Sequence, residues 1–178
     1  TLPQFFRQQG YTSARGSKIY HMGVPGDILR GTPGADDPLS WDVSFNIRGP
    51  EQYAAGRCED LSPSVSHQGM DFVKVEATGG DLAHADGLTA RKAIELLGQL
   101  ESPFFLAVGM VRPHVPLVAP ASYFDPYPDQ EMTLANVPDK DLQDVPTVAQ
   151  SQTNEVKYSM STAQQRKVLS AYYASISY

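Results

Sequence analysis

The sequence predicts an α/β fold, with a mostly parallel sheet flanked by helices and a loop-rich excursion. Three observations predict it. The run Phe104-Phe105-Leu106-Ala107-Val108-Gly109-Met110-Val111 is continuously apolar, aromatic and β-branched, which reads as a strand buried on both faces. Residues 88–100 place Ala90, Ala93, Ile94, Leu97 and Leu100 on one helical face and Arg91, Lys92, Glu95 and Gln99 on the other,. That helix runs into the strand at Pro103 with almost no linker, and helix alternating with strand argues for parallel pairing.

The elements follow in order. Thr1 is a helix cap, Pro3 sits in the first turn and Gln4 completes a capping box,. Leu2, Phe5 and Phe6 form its apolar stripe and Gly10 stops it. A strand-like piece occupies 11–20, less apolar than the later one. Gly and Pro then punctuate 23–80 densely,. That is too long for one structureless loop, so the excursion is expected to hold short strands or turns, one of them within 71–77. Trp41 is expected to anchor it on the core. Asp86 or Thr89 caps the 88–100 helix. A short helical piece at 121–124 and a polar loop to about 153 follow the strand. Ser161 and Gln164 offer a second capping box for a last helix carrying Val168, Leu169, Tyr172, Tyr173 and Ile176.

The 178 residues suit one domain, 1–178,. The net charge of −6 gives no pull toward nucleic acid or an acidic membrane,. A single cysteine, Cys58, leaves no internal disulfide and no multi-thiolate metal site,. No run is long enough for a membrane span. The chain opens on Thr1 without a Met and ends within a helical pattern, so the expectation is a piece of a longer polypeptide.

The chemistry gathers at strand ends. Pro113 and Pro116 stop the apolar strand because proline cannot donate to a ladder. Arg112 and His114 are thereby delivered to its carboxyl end, where open α/β sheets tend to bind ligands. Arg is a fork for an oxyanion, although most arginines are solvated. Lys18 and His21 lie three apart where the 11–20 strand gives way to loop. A lysine offers a point charge and a histidine a proton near neutral pH, although Lys-x-x-His also arises by accident. His67, His84, Asp36, Asp37, Asp139, Asp141 and Asp144 read as solvated loop residues, since none has calcium-loop spacing. Cys58 reads as a lone thiol. No Gly-rich phosphate loop and no Gly-x-Ser-x-Gly elbow is present,.

Five segments together resemble the sulfatase family of the alkaline-phosphatase-like superfamily, and most of all its iduronate-2-sulfatase branch. They are Thr1-Leu2-Pro3-Gln4-Phe5-Phe6 with Gly10-Tyr11; Lys18-Ile19-Tyr20-His21; Ala93-Ile94-Glu95-Leu96-Leu97; the 103–109 strand with Arg112-Pro113-His114-Val115-Pro116; and Ser170-Ala171-Tyr172-Tyr173-Ala174-Ser175-Ile176-Ser177-Tyr178. The match fades over about 23–80. It implies a partial alkaline-phosphatase-like fold and a sulfuric ester hydrolase acting on sulfated sugars or glycans. In such enzymes an oxidised Cys or Ser, formylglycine, attacks sulfur as its hydrate, while a divalent cation, usually Ca²⁺, holds the sulfate. By that pattern Lys18 contacts the sulfate or the formylglycine hydrate, His21 helps deprotonate the hydrate when the sulfated intermediate collapses, and His114 binds the ester and protonates the leaving alcohol. Arg112 joins Lys18 and His114 in substrate binding. A sulfated carbohydrate is the implied partner, with no nucleic acid or membrane, in a periplasmic, secreted or lysosomal setting.

The departures are equally specific. The family's Cys-x-Pro-Ser-Arg motif, its early Asp-Asp ligands and its late Asp-His-Gly pair are absent, and Ser17 breaks its Gly-Lys pair. No metal ligand is therefore expected here, and the isolated chain is expected to be inactive. A phosphoester or phosphonate hydrolase on the same scaffold, and a non-catalytic sugar-binding remnant, are the alternatives.

Overall fold

A computed structural model describes residues 1–62, 72–138, 140–141, 143–149 and 160–178. Helix α1, Leu2–Gln8, carries the expected capping box: the Thr1 hydroxyl accepts from the Gln4 amide and the Gln4 side chain reaches back. Gly10, at φ +85°, turns the chain out of it. The chain enters β1, Thr12–Ser17. This strand is the centre of a three-stranded parallel sheet, between β2, Val43–Phe45, and β5, Phe104–Gly109. Between β1 and β2 runs the short helix α2, Gly26–Arg30.

A second sheet holds β3, Gly56–Asp60, β4, Val73–Ala77, and β6, Leu117–Pro120, in the order β3-β4-β6. β3 and β4 are antiparallel, whereas β4 and β6 are parallel. The expected excursion therefore folds into α2 and three of the strands. Trp41 anchors it: the indole is buried, lies over Phe105 at a centroid distance of 6.5 Å, and donates Nε1–H to Asp36. Helix α3, Ala85–Gln99, leads into β5, and α4, Thr162–Ser177, starts on the expected Ser161–Gln164 box. Leu117 and Ala119 of β6 pack with Phe124 and with Ala171 and Ala174 of α4. This is an α/β arrangement of parallel-rich sheets flanked by helices, consistent with part of an alkaline-phosphatase-like fold. Among the described residues, no helix is long and apolar enough to cross a membrane.

Several expectations are corrected. The apolar strand β5 is an edge strand among the described residues, and its Val108 is 39% exposed. The less apolar β1 is the buried one, with Ser13, Ala14, Arg15 and Ser17 almost fully covered. Position in the sheet, not composition, sets that order. β1 tolerates a buried guanidinium because Asp36 neutralises Arg15 at 2.5 Å. Helix α3 turns Ala85, Thr89, Ala93 and Leu96 inward, leaving Ile94 and Leu97 exposed. Its apolar stripe is wider than the surface that covers it. Leu2 and Phe5 are exposed, and Phe6 alone of that stripe stacks on Phe105. His84 is buried and bonds the Thr78 carbonyl through Nε2 at 3.0 Å. Asp37 binds the hydroxyls of Ser40 and Thr1. Cys58 is a free, exposed thiol on β3, and Asp141 and Asp144 are exposed. His67 and Asp139 lie outside the described residues.

Candidate functional site

Parallel pairing decides where the site stands. β1 and β5 run in register from Thr12 opposite Phe104 to Ser17 opposite Gly109, so both strands end at the same edge. The Lys18 amide extends the ladder by donating to the Gly109 carbonyl at 3.3 Å. Lys18 and the Arg112–His114 loop thus leave the sheet at neighbouring points, as the two sequence patterns predicted separately.

Buried charge shapes the β1 exit. Ser17 has φ +60°, a left-handed conformation rarely taken by residues other than Gly, Asn and Asp,. The Arg15 guanidinium donates to the Ser17 carbonyl at 3.0 Å and the Phe45 carbonyl at 3.1 Å, while Asp36 neutralises it. These bonds hold the peptide that leads into Lys18. Lys18 itself is half-buried, and its ammonium joins none of the ion pairs among the described residues. A cation without a carboxylate beside the end of a sheet is available to an anion.

His21 is exposed, and its carbonyl accepts from the Ala35 amide at 2.9 Å. The next residues are anchored: Met22 is buried, and the Gly23 amide donates to Asp27 at 2.6 Å. The Thr32 hydroxyl and that amide hold the Asp27 carboxyl below its ordinary value, against the opposing effect of burial. Gly34 closes the loop at φ +65°, where a Cβ would stand 2.6 Å from the His21 carbonyl oxygen.

The β5 exit is held from three sides. Asp86, in the first turn of α3, accepts the amides of Val111 at 2.7 Å and Arg112 at 2.8 Å. Neither Asp86 nor Thr89 caps the helix as expected: His84 is the N-cap residue, the Asp86 carboxylate grips the loop, and the Thr89 hydroxyl donates to the Ala85 carbonyl. Arg112 donates to both oxygens of Glu51 at 2.8 Å, to the Val118 carbonyl at 2.9 Å and to the His114 carbonyl at 3.2 Å. The Arg112 and Glu51 side chains are 4% and 1% exposed. The expected oxyanion fork is thus committed inside the chain, and Arg112 organises the loop. Glu51 gave no sequence signal, because nothing local links it to a residue 61 positions away.

His114 is exposed at the tip of this loop. Its Nδ1 lies 2.6 Å from the Val115 carbonyl oxygen. A carbonyl only accepts, so Nδ1 carries the hydrogen and Nε2 is the nitrogen that faces outward chemistry. The two loops share one small core: Met22, beside His21, packs with Ile28, Ala85 and Val111, beside Arg112. The strand register thus starts the Lys18 and His114 segments from one sheet edge, and Met22 packs the segment after His21 against Val111 of the other loop.

What surrounds the site limits its chemistry. A cavity of about 610 Å³ touches Pro113 and Val115, the neighbours of His114, but its other walls include Leu117, Val168, Leu169 and Tyr172. Such walls offer no charge to an anion. Among the described residues, no group of three or more His, Cys, Asp or Glu side chains converges to hold a metal. Cys58 stands on β3 of the second sheet.

No protein-family model matches the chain. Individual proteins do. Iduronate 2-sulfatase of Homo sapiens is 28% identical over 198 residues, covering 100% of this chain and 34% of the human protein. Iduronate 2-sulfatase of Mus musculus is 29% identical over 199 residues, with the same coverage. A sulfatase of Formosa agariphila is 24% identical over 190 residues, covering 99% of this chain and 35% of that protein. The chain therefore spans about a third of the length of the curated relatives it matches. End-to-end matches to sulfatases, on an α/β sheet whose carboxyl edge carries a lysine in no ion pair among the described residues and leads to an exposed histidine, relate this chain to the sulfatase family.

Proposed function

We propose that this chain supplies part of the site of a sulfuric ester hydrolase, acting on a sulfated sugar or glycan. The reaction cleaves the ester with water to give an alcohol and sulfate. The observation that carries the reading is the β1–β5 register, which puts Lys18 and the His114 loop at one sheet edge in a chain similar throughout to sulfatases.

Each residue has a task suited to its chemistry. The Lys18 ammonium neutralises sulfate oxygens, whose negative charge shifts as the S–O bond breaks. His114, held with Nδ1–H toward Val115, presents Nε2 to the ester oxygen. As an imidazolium it gives its Nε2 proton to the departing alkoxide and keeps Nδ1–H,. His21 takes a proton from the nucleophile as sulfate is released, after the ester has been cleaved. Arg112 touches no substrate and holds the loop. The nucleophile, a formylglycine, and a divalent cation such as Ca²⁺ belong in this reading to sequence outside this chain. Together they supply the attacking oxygen and the charge that grips sulfate. Since the described residues do not converge on a cation, none is given a metal-ligating role.

The test uses the complete protein carrying Lys18→Ala or His114→Ala, with sulfate release from a sulfated disaccharide as readout. Each change is expected to lower kcat/KM by roughly 10²–10⁴-fold without altering thermal unfolding beyond a few degrees. Retention of activity within about twofold in both variants would overturn the reading.

A further inference from the structure

We propose that Glu51 and Asp86 are positioning residues that, with Arg112 between them, fix where the His114 imidazole stands. The proposal rests on the reading of His114 given above, but the placement of the ring can be measured without it.

The loop from Met110 to Pro116 joins β5 to β6 and so links the two sheets. A loop of that length, tipped by an exposed side chain, is ordinarily free to move. This one is fastened along its length. Asp86 takes the amides of Val111 and Arg112, and the Arg112 guanidinium takes the carbonyls of His114 and Val118. The His114 amide turns back to the Val111 carbonyl at 3.0 Å, and the ring is pinned to the next carbonyl.

Glu51 shows that this fastening is expensive. Its side chain is 1% exposed, so a carboxylate has been taken out of water. Its backbone lies at φ +49°, the left-handed region, in a residue other than glycine,. A buried ion pair is often no more stabilising than apolar residues of the same size. Strain and desolvation together at one residue point to a demand beyond stability. Here that demand is geometric: both Glu51 oxygens face one Arg112 nitrogen, and Arg112 reaches the carbonyl of the residue that carries the imidazole.

The experiment uses the complete protein with ¹³C-labelled histidine. Glu51→Gln and Asp86→Asn are compared with the unaltered protein and with the conservative Glu51→Asp. Positioning predicts that Glu51→Gln and Asp86→Asn still unfold cooperatively yet move the His114 ring resonance, which Glu51→Asp partly restores. It also predicts that kcat for a sulfated disaccharide falls by roughly ten- to a hundredfold while KM stays within about threefold. Variants that lose thermal stability but leave the His114 resonance in place overturn the proposal, as does failure of both to fold, which would assign the network to stability alone. A moved ring in a protein whose activity also ignores His114→Ala upholds the positioning and sinks the catalytic role instead.

Discussion

Lys18 and Gly109 touch through their backbones: the Lys18 amide donates to the Gly109 carbonyl, and a Cβ on Gly109 would lie 1.7 Å from the Lys18 carbonyl oxygen. The two strands can approach this closely at their ends only because residue 109 has no side chain. Gly109→Ala must therefore push Lys18 away from β5. The expected cost is about 1–3 kcal/mol, read by urea unfolding, with sulfate-ester hydrolysis by the complete protein reduced along with it. Unchanged stability and activity would show that the exit of β1 is not set by this contact.

Ser17 is the residue before Lys18, and it stands at φ +60° with a buried hydroxyl that has no hydrogen-bond partner among the described residues. Both features favour glycine there. Ser17→Gly is expected to raise stability by about 0.5–1 kcal/mol, since relief of strain outweighs the extra freedom of the unfolded chain. Ser17→Val, β-branched in a left-handed position, is expected to lower it by at least about 1 kcal/mol. Equal stabilities for the two variants would contradict the strain.

Asp27 sets an acid limb of stability. The Thr32 hydroxyl, then the Gly23 amide, hold its folded carboxyl below the ordinary value, with burial opposing and Arg30 assisting. As pH falls, the unfolded chain takes up the proton first, near the ordinary carboxylate value of about 3.9. The contribution of Asp27 is therefore whole above that pH and is lost as pH falls through the lower folded value. Asp27→Asn is expected to be less stable than the unaltered protein at pH 7, with the gap narrowing by pH 3. Denaturant midpoints at the two pH values check it, and a constant gap would exclude the linkage.

The sequence made local features legible. The Thr1–Gln4 and Ser161–Gln164 boxes both form, because capping depends on residues three apart. Both β1 and β5 were legible because Gly, Pro and apolar runs act locally, although β1 stops at Ser17 rather than near Tyr20. Sheet order was not legible: the polar β1 is central because Asp36, 21 residues later, neutralises Arg15. The same holds for the network behind the candidate site. Glu51, Asp86 and Arg112 come together only in three dimensions, so Arg112 read as an exposed fork rather than a buried strut. Buried His84 misled for the same reason, since its partner Thr78 belongs to the turn after β4.

In the proposed reaction His114 hands a proton to the departing alkoxide. The decisive comparison sets His114→Ala against the unaltered complete protein on two substrates, 4-nitrophenyl sulfate and a sulfated sugar. Nitrophenolate leaves without protonation, whereas a sugar alkoxide does not. Proton donation by His114 predicts a loss of roughly 10²–10⁴-fold on the sugar sulfate and a much smaller one on the nitrophenyl ester. Equal losses on both, or none on either, would contradict it.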